Sequence, residues 1–281
     1  MRLSAEMGEE KEKLLRLVNS SGFPFQLGVA DQIRRQVEDP SFRWKLVAQE
    51  YPWRAAEDGH DGFIDIIIRN SDNNRMVIEC KRTRDANWVF LLPENGISDK
   101  GTRAKLLYVS VPAGSSPDQL RMGWHDFYTW PETSISEFCI VKGTGEGQKP
   151  MLENLCRVLL NSVEGLAREE STFAIEKNAD FNCSYVPVIV TNANLQVCRF
   201  KLSSLSLDDG EIPDGEFESV PYIRFSKSLS TKAISVASIA NIWAANRERQ
   251  RTVFVVQSVQ LERFLKEWYV PNSRENQRPW V

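Results

Sequence analysis

The chain has 281 residues, with 35 Lys and Arg against 38 Asp and Glu, giving a formal net charge of −3. Hydrophobic residues make up 42% and charged residues 26%. These globular proportions exclude a disordered chain, a collagen-like chain and a strongly basic protein that coats nucleic acid through bulk charge. A basic cleft confined to one part of the surface does not register in such a sum, so nucleic acid stays open as a partner.

The N-terminal MRLSAEMGEEKEK is charged and lacks the apolar stretch of a secretory signal. No segment approaches the ~18 consecutive apolar residues of a membrane span. Cys80, Cys139, Cys156, Cys183 and Cys198 form an odd, scattered set without a C-x-x-C pair, and with only His60 and His125 beside them they do not suggest a zinc site. They read as small buried hydrophobes in a reducing, cytoplasmic setting.

Residues about 8–19 and 26–38 are expected to be helical, the second carrying Val29, Ala30, Ile33 and Val37 at helical spacing and stopping at Asp39-Pro40. Trp44 to Trp53 reads as a strand, and Glu57 to Gly62 as a polar loop. Phe63 to Ile68 is a β-branched strand, apolar on both faces apart from Asp65. Asn70 to Asn74 is a turn, and Arg75 to Thr83 the returning strand. Residues about 84–150, punctuated by Pro93, Gly96, Pro112, Gly114 and Pro117, read as a less regular insertion holding the aromatic cluster GWHDFYTWP at 123–131.

Leu152, Leu155, Cys156, Leu159, Leu160, Val163 and Leu166 mark an amphipathic helix beginning near Pro150. Tyr185 to Thr191 is a buried strand, with Leu195 to Phe200 expected as its partner. Ile234 to Ala245 reads as a helix, Val253 to Gln257 as a strand, and Leu261, Phe264, Leu265 and Trp268 line a last helix. The alternation argues for one α/β domain over 1–281, with a core at about 26–83 and 151–200, an insertion at about 84–150 and a C-terminal elaboration at about 201–281.

One constellation carries chemistry. A turn symmetric about Asp72 sets Asp65 directly opposite Glu79, and opposed residues have Cβ atoms roughly 4.5–5.5 Å apart. The two-residue strand period puts Lys81 on the same face as Glu79 and turns Cys80 away. Two facing carboxylates among Ile64, Ile66, Ile67, Val77 and Ile78 repel and lose hydration. A shared proton, a bridging cation or the Lys81 ammonium each relieves that. A hard divalent ion such as Mg²⁺ suits oxygen ligands, and it would stabilise charge building at a phosphorus centre.

Asp65 followed across a hairpin by Glu79-Cys80-Lys81, with a helix and a strand before them, resembles the PD-(D/E)XK nuclease superfamily. Segments 26–83, and more loosely 151–167 and 185–191, resemble the helix–three strands–helix–strand core of that family, with Ile64 standing at the Pro of the motif name. The resemblance implies a restriction-endonuclease-like α/β fold (αβββαβ, mixed central sheet flanked by helices) with an insertion before the second core helix. It implies that Asp65 and Glu79 bind Mg²⁺, with Mn²⁺ substituting, helped by the Cys80 backbone carbonyl, and that Lys81 is the catalytic lysine. Glu50 is a further candidate metal ligand or simply a strand-edge carboxylate; Asp61 and Glu38 are weaker ones.

The implied activity is hydrolysis of phosphodiester bonds, most readily as a DNA endonuclease of restriction, repair or defence type. The alternative is a catalytically silent nuclease-fold module for nucleic-acid binding or assembly. The implied partner is nucleic acid, DNA before RNA, with a homodimer or a partner protein available to supply target choice.

Arg82 and Arg84 directly follow the E-x-K strand and are candidates to contact a phosphate backbone; Lys100, Arg103 and Lys105 in the insertion are similar candidates, or else a solvated face. Trp88, Phe90, Trp124, Phe127, Tyr128 and Trp130 are expected mainly to pack the insertion, with stacking on unpaired bases as the other use. Arg247, Arg249 and Arg251 read as a solvated helix end, and Gly143 to Lys149 as a connector without phosphate-loop spacing. His60 and His125 are expected to have no role, though His60 is placed for a proton shuttle, and Gln257 either touches the site or caps a helix.

Overall fold

The computed structural model describes residues 2–55, 59–83, 87–94, 100–141, 151–230 and 241–270, with the backbone alone at 2–8, 100 and 101. Helices α1 (Arg2–Ser20) and α2 (Phe23–Arg35) come first. The second is entered through Gly22, whose φ of 85° suits a residue without a Cβ. The strands β1 (Lys45–Arg54), β2 (Asp61–Arg69) and β3 (Asn74–Lys81) follow as an antiparallel meander. Helix α3 (Met151–Glu176) then leads into β8 (Phe181–Thr191), which lies beside β3 and parallel to it.

Between these two blocks lie β4 (Asn87–Glu94), β5 (Lys100–Val111), β6 (Arg121–Ser136) and β7 (Cys139–Val141); after them come β9 (Asn194–Lys201), β10 (Glu216–Ser219), β11 (Tyr222–Ser228), α4 (Ile242–Arg249), β12 (Gln250–Gln257) and α5 (Leu261–Glu267). The main sheet runs β1-β2-β3-β8-β12-β11-β6-β5, and β5 pairs back onto β8. The molecule is therefore mixed α/β with a central sheet flanked by helices, and the last five strands close into a barrel. Closure is possible because one edge of β8 is divided: Phe181–Tyr185 pair with β5 and Val188–Thr191 with β12, while β3 takes the other edge.

Strand alternation sends alternate residues into two apolar layers. Ile67, Val77, Tyr185, Ile189, Val253 and Val255 pack on the α3 side with Cys156, Leu159 and Val163. Ile66, Ile68, Met76, Ile78, Val188, Val190, Phe254 and Val256 pack on the other side with Val29, Ala30 and Ile33 of α2 and Phe264 of α5. Each such side chain contributes about 1.5–3 kcal/mol on full burial, so the strands bearing the carboxylates are anchored from both faces.

Several expectations need correction. The described parts of the 84–150 segment are regular, not an irregular insertion, and supply two long strands to the central sheet; Pro93 and Gly101 fall at strand ends, and Pro112, Gly114 and Pro117 fall between β5 and β6. The C-terminal third is likewise no elaboration: β11 and β12 are central strands, β12 sitting between β8 and β11. Leu195–Phe200 does not pair with Tyr185–Thr191; β9 crosses to a second sheet, β10-β9-β4-β7, where it runs parallel to β4. Arg251 is not solvated but buried in β12, its guanidinium 4.5 Å from the Trp124 ring centre. The helix expected from Ile234 is seen as α4 from Ile242, and 231–240 and the Gly143–Lys149 connector lie outside the described residues. Among the described residues no helix is long and apolar enough to cross a membrane.

Candidate functional site: a row of carboxylates across three strands

The pairs Ile66↔Ile78, Ile67↔Val77 and Ile68↔Met76 give the β2–β3 hairpin the register expected of a turn about Asp72, which sets Asp65 level with Glu79. On the other side of β2, Gln49↔Ile66 and Tyr51↔Ile64 set Glu50 level with Asp65. Glu50, Asp65 and Glu79 thus form a row across three adjacent strands, roughly 4.8 Å apart strand to strand. Glu50 is exposed and the other two are half-buried.

Backbone irregularity shapes this row. Glu50 has φ of 50°, the left-handed region that a residue with a side chain visits at a cost of about 1–3 kcal/mol. Across from it, the alternation of β2 breaks: Ile66 packs toward α2, whereas Ile64 packs with the α3-side layer. Past the end of the paired ladder, Asp65 Oδ2 accepts the Cys80 backbone N–H at 2.6 Å. The Asp65 carboxylate is therefore tied to β3 by the residue between Glu79 and Lys81.

A residue that sequence reasoning passed over completes the arrangement. Gln26 of α2, buried at 6% exposure, donates its amide to Glu50 Oε1 at 2.5 Å and to the Asp65 carbonyl at 3.2 Å. The only available signal was a polar residue within the apolar stripe of Val29, Ala30 and Ile33, one helical turn earlier.

The electrostatics follow from the packing. Burial, with the neighbouring Glu50 charge, pushes the Asp65 carboxyl up to about 6, although the Cys80 N–H and Lys81 pull it down. Burial and then Asp65 push the Glu79 carboxyl up to about 7, with Lys81 again opposing. Burial, then the three carboxylates, holds the Cys80 thiol far above its ordinary value. That thiol is no nucleophile, and its side chain packs against the α2-side layer.

Lys81 is half-buried and ends β3 level with Thr191 and, through it, with Gln257 on β12. Gln257 turns its amide to Asn194 and does not join the row; it stands at the N-cap of the helical turn Ser258–Gln260 without a side-chain cap bond. Arg82 is half-buried just beyond β3, whereas Arg84 lies outside the described residues. Asp61 is exposed at the start of β2 opposite Arg54, and Glu38 is exposed in a single helical turn after α2. His60 is exposed with its carbonyl accepting the Ala55 N–H, and His125 packs edge-on against Tyr108. Trp88 and Phe90 are core residues, and Trp130 stacks on Tyr269.

The donor set fits a hard divalent cation: two facing carboxylates, a third beside them, a backbone carbonyl at Cys80 and no soft ligand. Among the described residues no three His, Cys, Asp or Glu side chains converge as a ready-made cage. Mg²⁺ does not require one, since it usually keeps several waters and takes only one or two protein carboxylates.

No family model, no curated protein and no solved structure matches the chain.

Proposed function

We propose that the protein is a Mg²⁺-dependent nuclease of the PD-(D/E)XK, restriction-endonuclease-like type, hydrolysing phosphodiester bonds in nucleic acid, DNA before RNA. The observation that carries this is the row Glu50–Asp65–Glu79 with Lys81 two residues on, at one end of a sheet anchored from both faces. The order α2–β1–β2–β3 followed by α3–β8, with β3 and β8 adjacent and parallel, supports the fold assignment.

Asp65 and Glu79 would hold the ion, with the Cys80 carbonyl and Glu50 completing the protein side. A divalent cation there supplies charge neutralisation at the phosphoryl oxygens and acidifies water. The chain's own residues do the rest. The Cys80 N–H and the Gln26 amide fix the orientation of Asp65 and Glu50, so little reorganisation is needed during reaction. The Lys81 ammonium, close enough to both buried carboxyls to lower their pKa, faces the attacking water or the scissile phosphate and offsets developing charge. Arg82, with Arg84, would hold the flanking backbone.

The test is incubation of the purified chain with single- and double-stranded DNA and RNA under Mg²⁺, Mn²⁺ or EDTA, beside Asp65→Ala and Lys81→Ala. Cleavage is expected with metal only, and it should be lost in both variants. Cleavage that survives chelation or either substitution refutes the mechanism. Metal-independent binding without cleavage promotes the silent binding module instead.

A further inference from the structure

At the far end of the sheet a cleft of about 890 Å³ opens where β5, β6, the start of β12 and α4 meet. Because β12 runs parallel to β3, its first residue Gln250 lies roughly 23 Å along the strand from the level of Lys81. The cleft is therefore separate from the carboxylate row, and its volume falls in the range of about 300–1,000 Å³ typical of small-molecule sites.

Its walls carry two pairs of guanidinium and ring. Arg103 and Tyr128 face each other across β5 and β6, with 5.9 Å from the guanidinium carbon to the ring centre. Arg247 of α4 lies 5.8 Å from the ring centre of Trp243, which is 69% exposed. Beneath them Lys105 is buried, its ammonium donating to the Arg247 carbonyl at 3.2 Å and lying 3.7 Å from a Glu248 carboxylate oxygen. Asp126, the cross-strand neighbour of Lys105, sits 4.0 Å from Arg247. Arg103, Lys105 and Arg247 line the cleft with Asp126 and Glu137, and Glu248 lies against Lys105 from beside it.

Rings bordered by guanidinium groups match the chemistry of an unpaired base and its phosphate. The rings give π-faces for stacking, and arginine holds the anion. A duplex does not fit this logic, because its bases are already stacked on each other. We propose that this cleft binds a nucleotide unit, base against Trp243 or Tyr128 and phosphate against Arg247 and Arg103, supplied either as a free nucleotide or as part of an unpaired strand.

The full chain is titrated in EDTA, which prevents turnover, with fluorescein-labelled oligo-dT and oligo-U of about 12 nucleotides, within the usual single-strand site size. A duplex of the same length, AMP and UMP are the other probes. Trp243→Ala is expected to weaken strand binding by about 5- to 150-fold, the range for one lost stacking contact. Arg247→Gln should lower the slope of log Kd against log salt by about one. All readouts are binding in EDTA, where the proposed metal-dependent cleavage cannot run, which keeps this result apart from the fate of the nuclease proposal. Trp243 is exposed, so a melting curve will verify that its variant is folded. Equal binding of AMP or UMP with the same residue dependence identifies the source as free nucleotide and sustains the proposal. Duplex binding as tight as single-strand binding, indifference to both substitutions, or no binding of any probe overturns it.

Discussion

The metal-free protein should lose stability as the pH rises, and Glu79→Gln should remove much of that loss. Burial and Asp65 raise the Glu79 carboxyl from 4.5 to about 7. A carboxyl with its folded pKa above its unfolded one holds its proton more tightly in the native state. Its stability contribution is therefore intact below about pH 4.5 and is lost as the pH climbs through 7. At about 1.4 kcal/mol per pH unit, ionised Glu79 costs the fold about 3 kcal/mol at pH 8, against less than about 1 kcal/mol at pH 5. Asp65, raised from 3.8 to about 6, adds to the same trend, but the repulsion between the two is shared and is not counted twice.

Glutamine keeps the shape of Glu79 and never ionises. In EDTA, denaturant titrations should find Glu79→Gln about 3 kcal/mol more stable than wild type at pH 8 and within about 1 kcal/mol of it at pH 5. Asp65, Lys81 and Glu50 are the charged groups that act on Glu79, and none is altered by the substitution. A variant equally destabilised at both pH values would refute the reasoning, because it would mean that Glu79 is ionised and well solvated or paired throughout.

Other outcomes follow from the same geometry. Saturating Mg²⁺, at a hundredfold over its Kd, should stabilise the protein by about 2.7 kcal/mol in thermal melts, more at pH 8 than at pH 5.5, with the effect absent in Asp65→Asn. Gln26→Leu removes the donor to Glu50 and the Asp65 carbonyl and should weaken Mg²⁺ binding about 10- to 100-fold by calorimetry. Glu170→Ala leaves the Arg75 guanidinium and the Tyr185 hydroxyl without their shared acceptor and should cost about 3–5 kcal/mol in urea unfolding.

How much of this was legible in the chain depends on the distance over which each feature is encoded. The β2–β3 hairpin was readable because its turn, its β-branched strands and its register all lie within about twenty residues. The amphipathic α3 was readable for the same reason. The left-handed backbone at Glu50 was not, since no glycine or asparagine marks it. Gln26 looked like an unremarkable polar residue, because its partners sit 24 and 39 positions away. The placement of β9 was misjudged because local pattern identifies a strand but not its neighbour: a two-residue turn after Thr191 suggests a hairpin, yet the chain changes sheets there. Arg251 misled in the same way. Its charged surroundings in sequence say nothing of the Trp124 ring that covers it in the fold.

The divided edge of β8 has a consequence for how the chain comes to be folded at all. Val188–Thr191 are apolar apart from Thr191 and lie along an edge that, among the described residues, Phe254–Gln257 cover. During synthesis that edge stays open until more than sixty further residues have been made, and pairing across such a separation is slow. An exposed, hydrophobic strand edge is a template for pairing with another chain. Fragments ending before β12 should therefore aggregate even though they contain the whole carboxylate row, and a strand made late acts as the seal on the first strands' chemistry.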